Sequence, residues 1–370
     1  MNASFFLPTK VHFGQNAIQN NPSELLLGKH AILVTGRHSA KACGALFEIT
    51  EILTKNGVGY TVFDKITENP PLLTCHEGGK LAASVGADFV IGIGGGSPLD
   101  AAKAVACFAA NPELLPMEIY DLEKHANPSL PIVAVPTTAG TGSEVNIYSV
   151  LSLPDGKTKK TFKSPHSWPK VAFVDPKYAD TLPAEVTVST ALDAFAHAME
   201  SYLSPKSTVF SEQAALFAAK EIFDVLSEAP AAFTPLMRER LAAAATAGGM
   251  AISVTGTGFP HPLGYSITML DGVAHGRACA AFAQEYISYN ERTEQGKARL
   301  GAFAAHIGTT TKVLGALLTG LADVRLQFTK EQIEERVALI SGAGNYTNSP
   351  YVLSIDEMHD IYRKLFGKKR

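Results

Sequence analysis

The first half of the 370-residue chain alternates short, strongly apolar runs with stretches of helical periodicity. Alternation of this kind builds β/α units, whose strands lie parallel and whose ligands gather at the carboxyl ends of the strands. The apolar runs predict strands at residues 29–36, 59–64, 131–136 and 171–176, and in the segment ADFVIGIGG. We therefore predict a doubly wound parallel sheet for this half of the chain.

Beyond Pro183 the sequence changes to alanine-rich segments with helical spacing, such as LDAFAHAMESYL and RERLAAAATAGGMAI. Hardly another strand is indicated from there to the last residue. A chain of this length is also longer than one compact core usually supports. We predict two domains, an α/β domain over residues 1–182 and an all-helical domain over residues 183–370.

Composition excludes several classes of protein. A net charge of −3 and a charged fraction of 18% give no basic surface for a nucleic acid. The amino terminus has no charged leader, and no segment reaches the roughly 20 continuous apolar residues of a membrane span. We expect a cytoplasmic protein with no nucleic-acid or membrane partner. The scattered cysteines suggest small buried hydrophobic residues rather than a thiolate site; they are Cys43, Cys75, Cys107 and Cys279.

A glycine-rich turn follows the third predicted strand, in the segment IGIGGGSPLDAAK. Gly95 and Gly96 lack the Cβ that would keep a diphosphate from the main chain, and the following helix presents its positive end. Ser97 and Asp100 fit the start of that helix as caps, and Asp100 is also a candidate for the cofactor site. The pattern departs from G-x-G-x-x-G because Ser97 replaces the third glycine. A plain tight turn is the alternative.

A second polar loop, VPTTAGTGSEVN, directly follows the predicted strand at residues 131–136. It places the hydroxyls of Thr137, Thr138 and Thr141 where the carboxyl edge of the sheet is expected. These side chains suit a nucleotide, although serine- and threonine-rich loops also satisfy their own backbone.

The second half contains a candidate metal cage. Asp193 and His197 are four residues apart and therefore share one face of a predicted helix. His261 and His275 stand at probable helix breaks, beside proline and glycine respectively. An isolated Asp/His pair on a helix is more often a surface ion pair, and a lone histidine is more often a core residue. One carboxylate and three imidazoles together, however, suit Fe(II) or Zn(II). With a phosphate-binding turn, such a cage indicates metal-assisted hydride chemistry.

These motifs resemble those of the iron-containing, or group III, alcohol dehydrogenases. The resemblance extends from FFLPTKVHFG through GGGSPLDAAK, PTTAGTGSEVN and LDAFAHAMESYLS to VAHGRACA, which is nearly the whole length. It implies a dinucleotide-binding α/β domain followed by a helical metal-binding domain, as in dehydroquinate synthase-like proteins. It also implies hydride transfer between NAD(P)(H) and a small alcohol or aldehyde, and it favours a homodimer.

The resemblance assigns roles to individual residues. The metal ligands are Asp193, His197, His261 and His275. The cofactor-binding positions are Gly95, Gly96, Ser97, Thr137, Thr138, Thr141, Asn69 and, near the nicotinamide ribose, Lys159, with the adjacent Lys160 as an alternative.

Two positions depart from the family pattern. NAD-preferring relatives carry an acidic residue just after the first strand, whereas this chain has Gly36, followed by Arg37 and Ser39. No carboxylate repels a 2′-phosphate at this turn, and the guanidinium of Arg37 can bind one. This favours NADP(H) over NAD(H), unless Arg37 is only a solvated surface charge. Many relatives have a second cleft histidine where this chain has Tyr265. Tyr265 is thus our candidate catalytic-site residue, as a wall of the substrate pocket, or it merely packs.

Three alternatives remain for the function. Dehydroquinate synthase-like lyases and glycerol dehydrogenases share the expected architecture, but both bind metal with fewer histidines than the set in this chain. The third alternative is a nucleotide-binding sensor without catalysis.

Glu200 is interpreted only as a carboxylate outside the ligand set, either next to the ligands or on the surface.

Overall fold

The computed structural model describes residues 3–228, 230 and 232–368. The chain forms two compact units. One unit contains Phe6–Pro183 and Phe233–Gly249; the other contains Ala184–Ala232 and the chain from Met250 onward, with the residues up to Phe5. The segment Phe233–Gly249 therefore belongs to the α/β unit. Its backbone packs there at Gly249, where an added Cβ would lie 2.5 Å from the carbonyl oxygen of Gly142.

The α/β unit contains the strands of the described chain. They are β1 (Lys10–Phe13), β2 (His30–Gly36), β3 (Gly59–Ile66), β4 (Phe89–Gly94), β5 (Ile132–Pro136), β6 (Ser149–Ser152), β7 (Lys159–Phe162) and β8 (Val171–Val174). Six of them form one parallel sheet in the order β1-β8-β5-β4-β2-β3, and β6 pairs with β7 as an antiparallel hairpin. The predicted parallel sheet is confirmed. The sequence does not predict β1, β6 or β7, because each has only four residues and no continuous apolar run.

Helices connect the strands of this unit. They are α1 (Ala17–Asn20), α2 (Ser39–Ala42), α3 (Ala45–Lys55), α4 (Leu72–Ser84) and α5 (Gly96–Ala110), with short 3-10 helices at Pro22–Leu25, Pro116–Tyr120, Leu122–Lys124, Ser143–Val145 and Pro176–Ala179. Side chains alternate between the two faces of the sheet. Ile32 and Val34 join one apolar cluster, whereas Ala31 and Leu33 join another. Both faces are covered, as expected of a parallel sheet.

The strand order places a topological switch point between β2 and β4. The chain continues from β2 to β3 on one side and from β4 to β5 and β8 on the other. Ligands of open α/β sheets bind in the crevice outside the carboxyl ends of the strands that flank such a point. Here these ends are Gly36 and Gly94, so the fold itself brings the two glycine-containing turns to one edge.

The other unit is helical. It contains α6 (Ala184–Leu203), α7 (Val209–Ser227), the end of α8 (Pro235–Thr255), α9 (Pro260–Asp271), α10 (His275–Ala280), α11 (Ala283–Asn290), α12 (Glu294–His306), α13 (Thr311–Ala322), α14 (Lys330–Ile340), a 3-10 helix at Gly344–Asn348 and α15 (Ile355–Phe366). Nearly all of α6 from Ala191 to Ser201 is buried, so this helix forms the core of the unit. Among the helices of the described residues, none combines the length and the hydropathy that crossing a bilayer requires.

Candidate functional site

The structure brings the four predicted metal ligands together around one carboxylate oxygen. Asp193 Oδ1 lies 3.7 Å from His197 Nε2, 3.5 Å from His261 Nε2 and 3.8 Å from His275 Nε2. These distances are long for hydrogen bonds. Donor atoms that share a tetrahedral ion at about 2.0–2.2 Å stand roughly 3.3–3.6 Å apart. The arrangement therefore has the dimensions of a metal cage.

Buried atoms without partners support the same interpretation. Among the described residues, neither Asp193 Oδ1 nor His261 Nε2 has a hydrogen-bond partner of acceptable geometry, and both residues are less than 5% exposed. Leaving such polar atoms unsatisfied costs about 1–3 kcal/mol each. A cation between them would satisfy both atoms, so the donor set fits a bound metal ion.

Glu200 fixes the orientation of His261. His261 Nδ1 donates to the Glu200 carboxylate, 2.8 Å from Oε2 and 2.9 Å from Oε1, and the backbone N–H of Gly258 donates to the same group at 2.5 Å. Glu200 is fully buried. A carboxylate on the far nitrogen sets the tautomer and the ring orientation of a metal-binding histidine. Glu200 is therefore neither a surface carboxylate nor a ligand, but the group that points His261 Nε2 at Asp193.

Charges in the cage attract a cation. Burial opposes the charge of Asp193, yet the imidazoles around it hold the pKa of its carboxyl well below its usual range. Burial likewise works against protonation of His261, but the carboxylates of Glu200 and Asp193 raise the pKa of that imidazole to about 10. The surrounding residues thus stabilise positive charge on the side of His261 that faces Asp193.

Helix packing explains why His275 reaches a residue 82 positions earlier in the chain. A Cβ added at Gly276 would lie 1.8 Å from the carbonyl oxygen of Ser189 and 2.8 Å from the amide nitrogen of Asp193. Only glycine therefore allows α10 to contact α6 at this point. His275 begins α10 beside that contact and so lies next to Asp193.

Two further side chains contact His275. The ring of Tyr265 stacks on it with centroids 5.5 Å apart and an interplanar angle of 25°. Cys279 Sγ lies 3.7 Å from its Nε2 and 3.8 Å from its Nδ1.

Cys279, Cys75 and Cys107 are buried as predicted, whereas Cys43 is only partly buried. Cys279 is more than a hydrophobic residue, because its sulfur belongs to a group with Asp193, His261 and His275 whose ligand atoms lie within 4.8 Å of one another.

The glycine turn of the α/β unit leads directly into α5. The predicted capping by Ser97 and Asp100 is wrong: Gly95 is the N-cap residue, and none of the side chains that the structure describes caps the helix. The helix starts earlier because the glycines allow it, and Asp100 is held elsewhere. Uncapped N–H groups at a helix amino terminus are the feature that binds anions.

Threonine side chains pack against this turn. A Cβ at Gly95 would lie 3.1 Å from Thr138 Oγ1, and one at Gly96 would lie 2.5 Å from Thr141 Cγ2. Thr137 is buried, and its amide donates to the carbonyl of Gly94 at 2.9 Å. The two polar loops predicted from the sequence are therefore in contact, and a side chain at Gly96 would force Thr141 to shift.

A buried polar network, which the sequence does not reveal, lies behind the turn. Lys103 is fully buried and donates to Ser143 Oγ at 2.7 Å, Asn146 Oδ1 at 3.2 Å and the Tyr148 carbonyl at 2.7 Å. Burial lowers the pKa of its amine to about 8. Asp100 accepts from Ser143 Oγ at 2.5 Å and from the amide of Val150 at 2.8 Å. Burial raises the pKa of the Asp100 carboxyl.

Asn69, Ser97 and Lys159 also meet at this edge. The amide of Asn69 donates to Ser97 Oγ at 3.1 Å, and Lys159 Nζ donates to Asn69 Oδ1 at 2.6 Å. Asn69 has a positive φ of 54°, which aims its backbone into a tight turn. The alternative lysine, Lys160, lies over the ring of Tyr120 instead, 4.4 Å from its centroid. Of the two lysines, Lys159 is the one at the glycine turn.

The end of β2 is more mixed in charge than the sequence indicates. Gly36 pairs with Ile66 of β3, Arg37 is exposed, and Ser39 begins α2. Lys41 forms an ion pair with Asp64 of β3, with Nζ 2.9 Å from Oδ2. An acidic group thus lies near this turn on the neighbouring strand, although none follows β2 itself.

The residues that sequence reasoning missed have different signals. Cys279 follows His275 by four residues, so it could have been placed on the same helix face as that ligand. Glu200 is named from the sequence as an outer or surface carboxylate, and its contact with His261 agrees with the first of these alternatives. Lys103 and Asn146 carry no comparable signal, because only the tertiary fold buries them.

Comparisons with known proteins agree with the geometry. The family model for iron-containing alcohol dehydrogenases matches residues 8–176, and the model for the C-terminal region of Fe-containing alcohol dehydrogenases matches residues 187–366. The solved structure of an iron-containing alcohol dehydrogenase from Thermotoga maritima superposes with a TM-score of 0.91 at 33% identity, over 98% of this chain and 99% of that one.

Curated relatives are similar over most of their length. Lactaldehyde reductase of Escherichia coli K12 is 30% identical over 70% of this chain and 68% of its own length. The 1,3-propanediol dehydrogenase of Klebsiella pneumoniae is 31% identical over 91% of this chain and 84% of its own.

Proposed function

The chain belongs to the iron-containing alcohol dehydrogenase family, and from that premise we propose a metal-dependent alcohol dehydrogenase or aldehyde reductase. It transfers a hydride between a nicotinamide dinucleotide, preferably NADP(H), and a small primary alcohol or aldehyde. The observation that carries the proposal is the convergence of three imidazole Nε2 atoms on Asp193 Oδ1, at 3.5–3.8 Å.

Asp193, His197, His261 and His275 are the proposed ligands of a divalent ion, Fe(II) in first place and Zn(II) as the alternative. Such an ion acts as a Lewis acid toward the oxygen of the alcohol or aldehyde. By accepting from Nδ1 of His261 at 2.8 Å, Glu200 leaves Nε2 on the opposite side of the ring for the ion, which would take the place of a proton there. The nitrogen and oxygen donors suit both metals.

The dinucleotide is proposed to bind at the switch point of the parallel sheet. Gly95, Gly96 and Ser97 offer the open helix end to the diphosphate, beside Thr137, Thr138 and Thr141. Asn69 and Lys159 lie at the same edge, where an amine and an amide suit ribose hydroxyls. Asp100, held by Ser143 and Val150, orders the loop that carries the threonines.

Preference for NADP(H) is proposed from the turn after β2. Gly36 presents no carboxylate, and the exposed Arg37 and the hydroxyl of Ser39 suit a 2′-phosphate. Lys41 contributes less than its charge suggests, because Asp64 binds it. We expect Arg37→Ala to raise the KM for NADPH about tenfold or more, the value of one charge-assisted hydrogen bond, and to leave the KM for NADH unchanged. Arg325→Ala is the control, because the side chain of Arg325 is 86% exposed. An equal effect of Arg37→Ala on the KM values of both cofactors would contradict the preference.

Tyr265 is proposed as a wall of the substrate site, and we retain it as the candidate catalytic-site residue. Its ring stacks on the ligand His275, and its side chain is partly exposed. A phenol in this position offers an apolar face and a hydroxyl to a small substrate. The relatives named for lactaldehyde and 1,3-propanediol act on small molecules of this kind.

One assay tests the function. Purified chain is mixed with NADPH and a panel of short aldehydes, after treatment with a chelator and again after anaerobic addition of Fe(II). We expect NADPH oxidation that requires the metal, that His261→Gln abolishes and that His306→Gln, an exposed position, leaves intact. Cofactor binding without turnover on any aldehyde would instead favour a sensor. Light scattering of the same sample tests the expected homodimer.

A further inference from the structure

Cys279 places a thiol at the metal cage, on the side of α10. Its Sγ lies 3.7 Å from His275 Nε2, the same atom that faces Asp193 at 3.8 Å. A thiolate and an imidazole that share a tetrahedral ion, at about 2.3 and 2.1 Å, stand roughly 3.6 Å apart. The sulfur and this nitrogen are therefore already at the separation of two ligands.

The same cysteine completes a second group of four donors. One ligand atom each of Asp193, His261, His275 and Cys279 lies within 4.8 Å of all the others. In this group, Asp193 Oδ1 and His261 Nε2 are buried and have no hydrogen-bond partner within the described part of the chain. Shifts of about an ångström would bring the remaining pairs to ligand separation.

We propose that the cage has two overlapping ligand sets, which share Asp193, His261 and His275 and differ in using His197 or Cys279 as the fourth ligand. The inference rests on the metal centre of the proposed function and adds a choice between ions. Thiolates favour softer ions such as Zn(II), whereas the imidazole and carboxylate set suits Fe(II). In the thiolate set the S–H bond breaks, the sulfur donates its electron pair to the ion, and the proton leaves to solvent. Cys279 thus makes the chain accept Zn(II) more readily than the His197 set alone.

Co(II) loading of the full chain tests the inference, because a thiolate bound to Co(II) gives a charge-transfer absorption band in the near ultraviolet. We expect this band in the unaltered chain and its loss in Cys279→Ser. Cys107→Ser is the matched control, since the Cys107 sulfur also lies beside an imidazole, 3.6 Å from His125 Nδ1, in the other unit. This variant should retain the band. The Zn(II) dissociation constant of Cys279→Ser should rise, by about 10-fold or more, with the Fe(II) value close to that of the unaltered chain.

His197→Ala provides a second measurement that does not alter the cysteine. We expect it to keep Co(II) and the charge-transfer band, because the Cys279 set remains intact. Visible Co(II) bands without charge transfer in the unaltered chain would overturn the second ligand set while leaving the metal centre in place. A band that persists in Cys279→Ser, or that disappears in His197→Ala, would also overturn it. Failure to bind Co(II) at all would refute both this inference and the proposed metal centre.

Discussion

Glu200 accepts a hydrogen bond from Nδ1 of His261 at 2.8 Å, and both side chains are buried. The carboxylate also accepts the amide of Gly258 at 2.5 Å, so it is held from two directions. Its position is therefore fixed before any ion arrives, and so is the direction in which His261 points.

Replacing Glu200 by glutamine should weaken metal binding without removing a ligand. An amide with its oxygen at the Oε2 position can still accept from both donors, but it carries no negative charge, and its NH2 group would face the Nδ1–H of His261 in place of Oε1. We expect the metal dissociation constant to rise about 10–100-fold, as for other outer partners of metal-binding histidines. Competition with a chelator, followed by metal analysis, measures this change. Glu144→Gln alters a buried carboxylate of the α/β unit and should leave metal affinity unchanged; equal losses in the two variants would refute the role of Glu200.

Gly276→Ala should separate α10 from α6. The new Cβ would lie 1.8 Å from the Ser189 carbonyl oxygen, which is backbone and cannot rotate away. Overpacking of this kind costs about 1–3 kcal/mol or more, and the shift moves His275 away from Asp193. The midpoint temperature of thermal unfolding and the metal content should therefore both fall.

Gly301→Ala is the matched control for this variant. Gly301 lies inside α12, and an added Cβ would meet open space. Alanine there should raise the free energy of unfolding by about 0.5–1 kcal/mol. A Gly276→Ala protein with normal stability and normal metal content would show that the close helix contact is unnecessary.

The sequence predicts those parts of the site that depend on local spacing. Asp193 and His197 share a face because they are four residues apart, and the apolar runs of β2, β4 and β5 suffice to place Gly36, the glycine turn and the threonine loop at one edge of a sheet. Both inferences use only helix or strand periodicity.

The remaining parts depend on contacts between distant residues. The hydrogen bond from His261 to Glu200 joins residues 61 positions apart, and the contact of Gly276 with Ser189 has no signal in either segment. Ser97 has the residue type of a cap, but the three adjacent glycines let the helix begin before it. The four-residue strands β6 and β7 are too short for a period-2 pattern to stand out.

Gly96→Ala should weaken dinucleotide binding. Its Cβ would lie 2.5 Å from Thr141 Cγ2, so the Thr141 side chain has to move, and the same methyl group would stand where the diphosphate approaches the backbone. We expect the NADPH dissociation constant, measured by fluorescence titration, to rise about tenfold or more, which corresponds to the usual 1–3 kcal/mol of overpacking. Metal content should stay normal, because the proposed ligands belong to the helical unit. Gly320→Ala, in open space on α13, should leave both quantities unchanged, and unaltered NADPH affinity in Gly96→Ala would contradict the proposed diphosphate site.

Lys103 should make the stability of the α/β unit depend on alkaline pH. Burial lowers the pKa of its amine from 10.5 to about 8. Between these values the unfolded chain binds more protons than the folded chain, so the free energy of unfolding rises with pH across this range. At about 1.36 kcal/mol per pKa unit, the contribution is about 3 kcal/mol at most. Below pH 8 this contribution is absent, because the amine is then protonated in both states.

Comparison with Lys103→Met isolates this effect. Methionine leaves Ser143, Asn146 and the Tyr148 carbonyl without their donor, which lowers stability by an amount that does not vary with pH, whereas the alkaline rise specific to the lysine disappears. Urea unfolding from pH 7 to 11, followed by the fluorescence of the single tryptophan, Trp168, reports on this unit. The difference between the two curves should grow from pH 8 to 10.5 and then level off.

Lys330→Met is the control, because the side chain of Lys330 is 81% exposed, and it should follow the unaltered chain at every pH. A constant difference between Lys103→Met and the unaltered chain would mean that the buried amine keeps its ordinary pKa, with its charge fully compensated by Asp100 and the three oxygen acceptors.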